Sequence, residues 1–345
     1  MKNQILKALL LVLPALVISE KLFSQAPGYI FILSKTKGEL VVLDYNSLDT
    51  FKVIPVGKDP HEIVITPDAK HAYISNPELN SGGHQIDVIN LQNLSYEQKI
   101  DTHPFGIPHG LAFRNNMLWF TAQASKAVVL YDPMTKKIAE VLGTGQDFTH
   151  LLYVNTKGNE FYTTNVESGT LSIYQHKMIP PYMPPTGVLP PNAKERLEWR
   201  QKLITVGIGS EGFDVSPDGK ELWTARPDGE VVIVDLEKQK ITSSFNSSVK
   251  GLHRLKITPD GKTVCIVSVK TGELLYYQRT GHKLEQKVKI GQGAGIFMDQ
   301  YSQRMFISCT PNDEVIVIDL KTRKTIKKLK IGRPDGITAV ITKGN

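Results

Sequence analysis

Short apolar runs rich in β-branched residues and ending on a polar residue recur along the chain. LVVLD, IDVIN, VVLYD, LSIYQ, VVIVD, LLYYQ and VIVID close at Asp44, Asn90, Asp132, Gln175, Asp235, Gln278 and Asp319. The repeat is about 42 residues long, with one 60-residue step from Gln175 to Asp235. Each unit holds four short strand-like runs separated by turn signals, and hardly any helical periodicity appears outside the long step. TPDAK, SPDGK and TPDGK are turns with a mechanism: Pro presets φ, Asp hydrogen-bonds its own backbone, and Gly accepts the left-handed conformation. Seven units of four strands at this period predict an all-β protein, a seven-bladed β-propeller. A unit cannot bury both its faces alone, so all seven belong to one domain, expected over residues 26–345.

The chain starts in mid-blade. YIFILS, ELVVLD and TFKVIPV read as second, third and fourth strands, and the first innermost strand, HEIVIT, comes only afterwards. The final run, DGITAVIT (335–342), reads as an innermost strand with nothing after it. It is expected to pair with the N-terminal strands and close the ring, which leaves no open sheet edge.

YISN (73–76), YTTN (162–165), the VIVID-type strands and the SPDGK turns resemble the YVTN-type propeller repeat of surface-layer-protein-like and lactonase-like seven-bladed propellers. The resemblance covers residues 28–345. It implies the fold, whereas the matching motifs are structural and carry no catalytic signature.

Composition adds little to the fold and something to the setting. Lys2 and Lys7 precede eleven apolar residues, Ala8 to Ile18, too few to span a bilayer and suited to a signal peptide over residues 1–25. That reading implies a periplasmic or secreted protein with no transmembrane segment after cleavage. Cys265 and Cys309 are the only cysteines, and the repeat places them on opposite strand faces, so two free buried thiols are expected. The formal charge is +7. Much of it lies in KTRKTIKKLK (321–330), where alternating lysines suit an exposed outer strand, and nucleic acid is not an expected partner.

Candidate chemistry comes from the repeat itself. Innermost strands line the central channel, so residues at one repeat position form a ring. His61, His109, His150, Glu211, His253, Ala294 and Asp335 share the position at which each innermost strand starts. Four of the seven are histidine, far more than nine histidines scattered over 345 residues would give. His84 and His103 belong to the same face. His61, His109, His150 and His253 are candidate ligands for a divalent transition metal (copper, zinc or nickel), and with Glu211 and Asp335 they offer a small-ligand site or an acid–base cluster. The alternative is that histidine here is a loop strut copied by duplication.

The loops between second and third strands form another ring, in which Asn76, Asn165 and Arg226 are candidate ligand-binding residues, Arg226 for a carboxylate or phosphate. The extra length of the fourth blade, about residues 176–201, is proline-rich. Its NAKERLEWRQ segment offers an Asn cap and a short helix, and the whole reads as a channel plug or a docking element for a protein partner. Three function classes follow: a propeller binding a small ligand or metal at a histidine-rich mouth, a lactonase-like or streptogramin-lyase-like enzyme using that mouth, and a protein- or nucleic-acid-binding scaffold.

Overall fold

The computed structural model describes residues 28–341, so the expected signal peptide lies outside the described residues. The strands form seven four-stranded antiparallel sheets in a ring, a seven-bladed β-propeller. Blade one consists of Gly28–Ser34, Glu39–Asp44 and Thr50–Pro55. Its innermost strand is Pro334–Ile341, which pairs Gly28 with Ile341 and Ile32 with Ile337. The closure read from the sequence is therefore the observed one. Among the described residues no helix is long and apolar enough to cross a membrane.

The innermost strands of blades two to seven are Ile63–Ile65, Pro108–Arg114, Thr149–Val154, Phe213–Val215, Leu252–Ile257 and Gly295–Asp299. The third strands, such as Glu39–Asp44 and Glu230–Asp235, bury four consecutive residues because both faces pack against neighbouring blades. The core is correspondingly a ring of apolar layers, one between each pair of blades. Cys265 of blade six and Cys309 of blade seven are free, buried and in the same layer. Opposite faces of adjacent blades look at each other, so residues out of phase in the repeat share a core. Burial raises both thiols to about 12.

The turns form as their sequences dictate. Thr66, Ser216 and Thr258 hydroxyls donate to Asp68, Asp218 and Asp260 at 2.6–2.7 Å. The same aspartates accept the backbone N–H of Lys70, Lys220 and Lys262. Gly219 and Gly261 stand at φ +69° and +70°, and Ala69 takes the equivalent left-handed conformation at φ +55°.

The segment expected to be a helix is a strand. Arg196–Thr205 pairs with Thr170–Ile179 along its whole length, making a hairpin longer than any other in the ring. Tertiary packing overrides local propensity here: Trp199 stacks on His176 at 4.6 Å and meets Phe161 and Trp119 edge-on. The hairpin joins the third and outermost strands, so it lies at the rim and does not plug the channel.

Candidate functional site at the channel mouth

The ring position starts each innermost strand, and in three blades a bulge sits on it. The ladder register shifts between Pro108 and Leu111, Thr149 and Leu152, and Leu252 and Leu255. A bulge re-aims the side chain it carries, here His109, His150 and His253. Small neighbours allow adjacent bulges to touch: a Cβ on Gly110 would come 2.5 Å from the His150 carbonyl oxygen, and one on Gly336 the same distance from that of His61. Hydroxyls of the second strands fix the ring from behind, Thr121 donating to the His150 carbonyl at 2.6 Å and Thr164 to that of Glu211 at 2.8 Å.

All seven ring positions line one cavity of about 320 Å³, with Lys35, Arg254 and Phe148. The ring centroids of His61 and His109 are 4.8 Å apart, and those of His109 and His150 are 3.9 Å apart. Arg254 and Asp335 also line a second chamber of about 220 Å³ deeper in the channel. They form the floor of one and the roof of the other. Arg254 donates to Glu62 at 3.1 Å and lies 3.6 Å from Glu211. Burial pushes the Glu62 carboxyl up despite that guanidinium.

Hydrogen-bond partners assign the protons. His61 Nδ1 faces the Asp59 carbonyl at 2.9 Å and its Nε2 faces the Lys35 ammonium at 2.7 Å. The ring is therefore neutral with its proton on Nδ1, and burial holds it below the usual imidazole range although Asp335 is near. Gln123 donates to His150 Nδ1, and His150 Nε2 donates to Glu211 at 2.8 Å, which makes His150 neutral with its proton on Nε2. Burial pushes this ring down to about 4 even beside the carboxylate.

His253 is the exception. Its Nδ1 lies 2.9 Å from the Ala294 carbonyl and its Nε2 lies 3.1 Å from Glu211, so both nitrogens face acceptors. Burial favours the neutral Glu211 carboxyl, but His253 and His150 overcome it and hold that carboxyl well below its ordinary range. Lys35 pairs with Asp335, whose carboxyl is held low by that ammonium and by Arg254 against the effect of burial.

His109 is unlike the others. It is 1% exposed, and its ring makes no hydrogen bond among the described residues, with Nδ1 buried and unpartnered. Burial, reinforced by His150 and His61, holds it well below the usual range, so it is a neutral imidazole with free hydrogen-bonding capacity.

The second-ring candidates are not brought to the mouth. Arg226 turns back onto Asp228 at 2.8 and 3.1 Å and onto the Val206 carbonyl. Asn76 donates to Asp87, and Asn165 donates to Thr170 and Ser172, so both serve the hydrogen bonding of their own blades. His84 and His103 stack on each other at 3.7 Å and do not line the mouth cavity. Lys35 and Gln123 belong to the site without a repeat signature to announce them.

Among the described residues no group of three or more His, Cys, Asp or Glu side chains is arranged to hold a metal ion. Lone pairs that a metal would need are engaged, that of His61 by Lys35 and that of His150 by Gln123. The donor set as built is a hydrogen-bonded charge network and does not fit a metal.

No family model matches the chain, and no curated protein matches it in sequence. Solved structures share its architecture. A protein of Bacteroides fragilis provisionally assigned as a 6-phosphogluconolactonase is 11% identical, with 92% of this chain and 99% of that one covered and a TM-score of 0.71. One of Bacteroides uniformis with the same provisional assignment is 10% identical over 92% and 100%, with a TM-score of 0.70. The dihydro-heme d1 dehydrogenase NirN is 12% identical over 90% and 74%, with a TM-score of 0.62. Likeness at these identities shows the fold and leaves the chemistry to the residues. The neighbours include lactonase-like propellers; the YVTN-type repeat rests on the sequence resemblance.

Proposed function

We propose that the mouth binds a small organic anion. The observation that carries this is His109, a buried imidazole without a hydrogen-bond partner in a cavity that also presents Lys35, Arg254 and His253. Lys35 and Arg254 bring positive charge to its wall, where they pair with Asp335 and Glu62. A carboxylate or similar anion within reach of these cations gives His109 a hydrogen-bond acceptor. Burying a polar group unpaired costs about 1–3 kcal/mol, which binding would recover. Phe148 and Val269 add an apolar wall, in keeping with a small organic molecule more than an inorganic ion.

Calorimetric titration with lactate, malate, citrate and gluconate tests the reading. At least one should bind saturably, and His109→Asn should weaken it about tenfold while the protein still melts cooperatively. A panel that gives no heat, or binding indifferent to that substitution, would reject the proposal.

A second reading, turnover at the same mouth, is favoured by one juxtaposition: His150 and His253 flank a single carboxylate, Glu211, a grouping through which protons can be exchanged. The provisional assignment of the two Bacteroides propellers directs the assay to lactone opening, followed as acid release from glucono-δ-lactone. Elemental analysis of protein purified without a histidine tag covers the remaining expectation of copper, zinc or nickel. Metal binding would require Lys35 to leave His61 and Gln123 to leave His150.

A further inference from the structure

The long hairpin of blade four leaves the body of the propeller. Its strands continue four residue pairs past Glu160, where the second strand begins, to the pairing of Ile179 with Arg196. The first extra pair is anchored: Trp199 stacks on His176, and its Nε1 donates to Glu140 of blade three at 3.3 Å. The other three carry the tip about 10 Å further. It leaves on the face opposite the mouth, since the His176 N–H reaches the Asn159 carbonyl in the turn between first and second strands.

The tip is apolar and poor in hydrogen-bond donors. Residues 178–193, sixteen in a row, carry no charged side chain. Of the nineteen large apolar side chains exposed among the described residues, six lie from Met178 to Leu197, with Tyr182 72% and Val188 71% exposed. Six of the sixteen residues are prolines, which have no N–H, and the N–H groups of Gly187 and Ala193 close turns on Pro184 and Pro190. Half of the tip therefore has no N–H to strip of water. Behind the tip stands a belt of cations. Lys177 donates to the neutral Gln175 amide at 3.3 Å, Arg196 and Arg200 share the Glu198 carboxylate, and Lys194 and Lys202 stand nearby, so five cations face Glu195 and Glu198.

We infer that this hairpin docks the protein on the surface of an anionic phospholipid bilayer. Tyr182, Met183, Val188 and Leu189 enter the boundary between headgroups and acyl chains, while Lys177, Lys194, Arg196 and Arg200 meet the lipid phosphates. Penetration is shallow, about 5–10 Å, because the tip carbonyls still need water. A protein groove that reads prolines can offer acceptors to bare N–H groups and has no need of cations on both strands. A bilayer interior offers no acceptor, and its anionic surface attracts those cations. Docked in this way, the mouth faces away from the lipid, and the docking is independent of the anion proposed there.

Flotation of the full chain with vesicles of phosphatidylcholine and phosphatidylglycerol in equal parts tests the docking. The protein should float with them. Met183→Asp with Val188→Asp should weaken the partition about tenfold with an unchanged melting temperature, since both side chains are exposed. Lys177→Gln with Lys194→Gln should weaken it about tenfold as well, and high salt should mimic that loss. Tyr301→Asp, exposed on the same face in blade seven, should change nothing. Residues 8–18 are apolar too, so the tip needs a reporter of its own. With Tyr182→Trp, the emission gained over the unaltered protein should shift to the blue on vesicles and be quenched by lipid brominated in its acyl chains. Failure to float overturns the proposal. So does emission from position 182 that is neither shifted nor quenched, which would leave the tip to a protein partner, and so does quenching that the two aspartates leave intact.

Discussion

His253 and Glu211 meet at 3.1 Å, and because the other nitrogen of His253 points at the Ala294 carbonyl, the ring stands between two acceptors. The neighbouring His150 shares the same carboxylate but accepts a hydrogen bond from Gln123, so two histidines of one ring position differ in their partners. Equivalent positions in a repeat need not carry equivalent chemistry.

Nitrogen-15 NMR of histidine-labelled protein near pH 7 reads that difference directly. His61 should show its proton on Nδ1 and His150 its proton on Nε2. A proton on Nε2 of His61 or on Nδ1 of His150 would contradict these contacts.

Acid should destabilise the protein before its carboxylates titrate. His150 has a folded value of about 4 against about 6.5 when unfolded, so both states are neutral above pH 7. Between pH 6.5 and 4 only the unfolded state takes the proton, and stability falls with pH by about 3 kcal/mol from this group alone. His109, also held low, adds in the same direction. Chemical denaturation across this range checks the slope; His150→Gln should make it shallower. A stability flat from pH 7 to 4 would contradict neutral buried rings.

Arg254 separates the two chambers and bridges Glu62 and Glu211. Arg254→Met leaves the Glu62 carboxyl without its cation, while Glu211 keeps His150 and His253, and should cost about 3 kcal/mol in urea unfolding. Adding Glu62→Gln should recover part of it, because the residues are coupled. A loss below about 1 kcal/mol would mean that Arg254 is a spectator.

Removing residues from Pro334 onward strips blade one of its innermost strand and exposes the Gly28–Ser34 edge. The truncated chain should melt well below the full protein and associate in solution. An unchanged melting temperature would be incompatible with this closure.

Thiol titration of the unfolded chain without reductant should find two free groups, from Cys265 and Cys309. In the folded protein both should be inert, since buried thiols near 12 carry almost no thiolate at neutral pH. Fewer than two groups in the unfolded chain would reveal a disulfide.

The number of blades, the closing strand, the two faces and the ring of residues around the channel were all legible in the repeat. Each follows from local rules repeated at a fixed period: Pro, Asp and Gly set the turns, apolar runs set the strands, and rotation brings like positions to one axis. The partners of the ring residues come from folding alone. Lys35 reaches His61, Gln123 reaches His150 and Arg254 reaches Glu62 across blade boundaries, up to 192 residues apart in sequence, and no periodic pattern records such meetings. The same holds for Arg226, drawn away by an aspartate two residues on, and for Trp199, whose aromatic neighbours support a strand where local propensity favoured a helix. Protonation states lay furthest from the sequence, because they depend on whether a donor or an acceptor from another blade stands opposite each nitrogen.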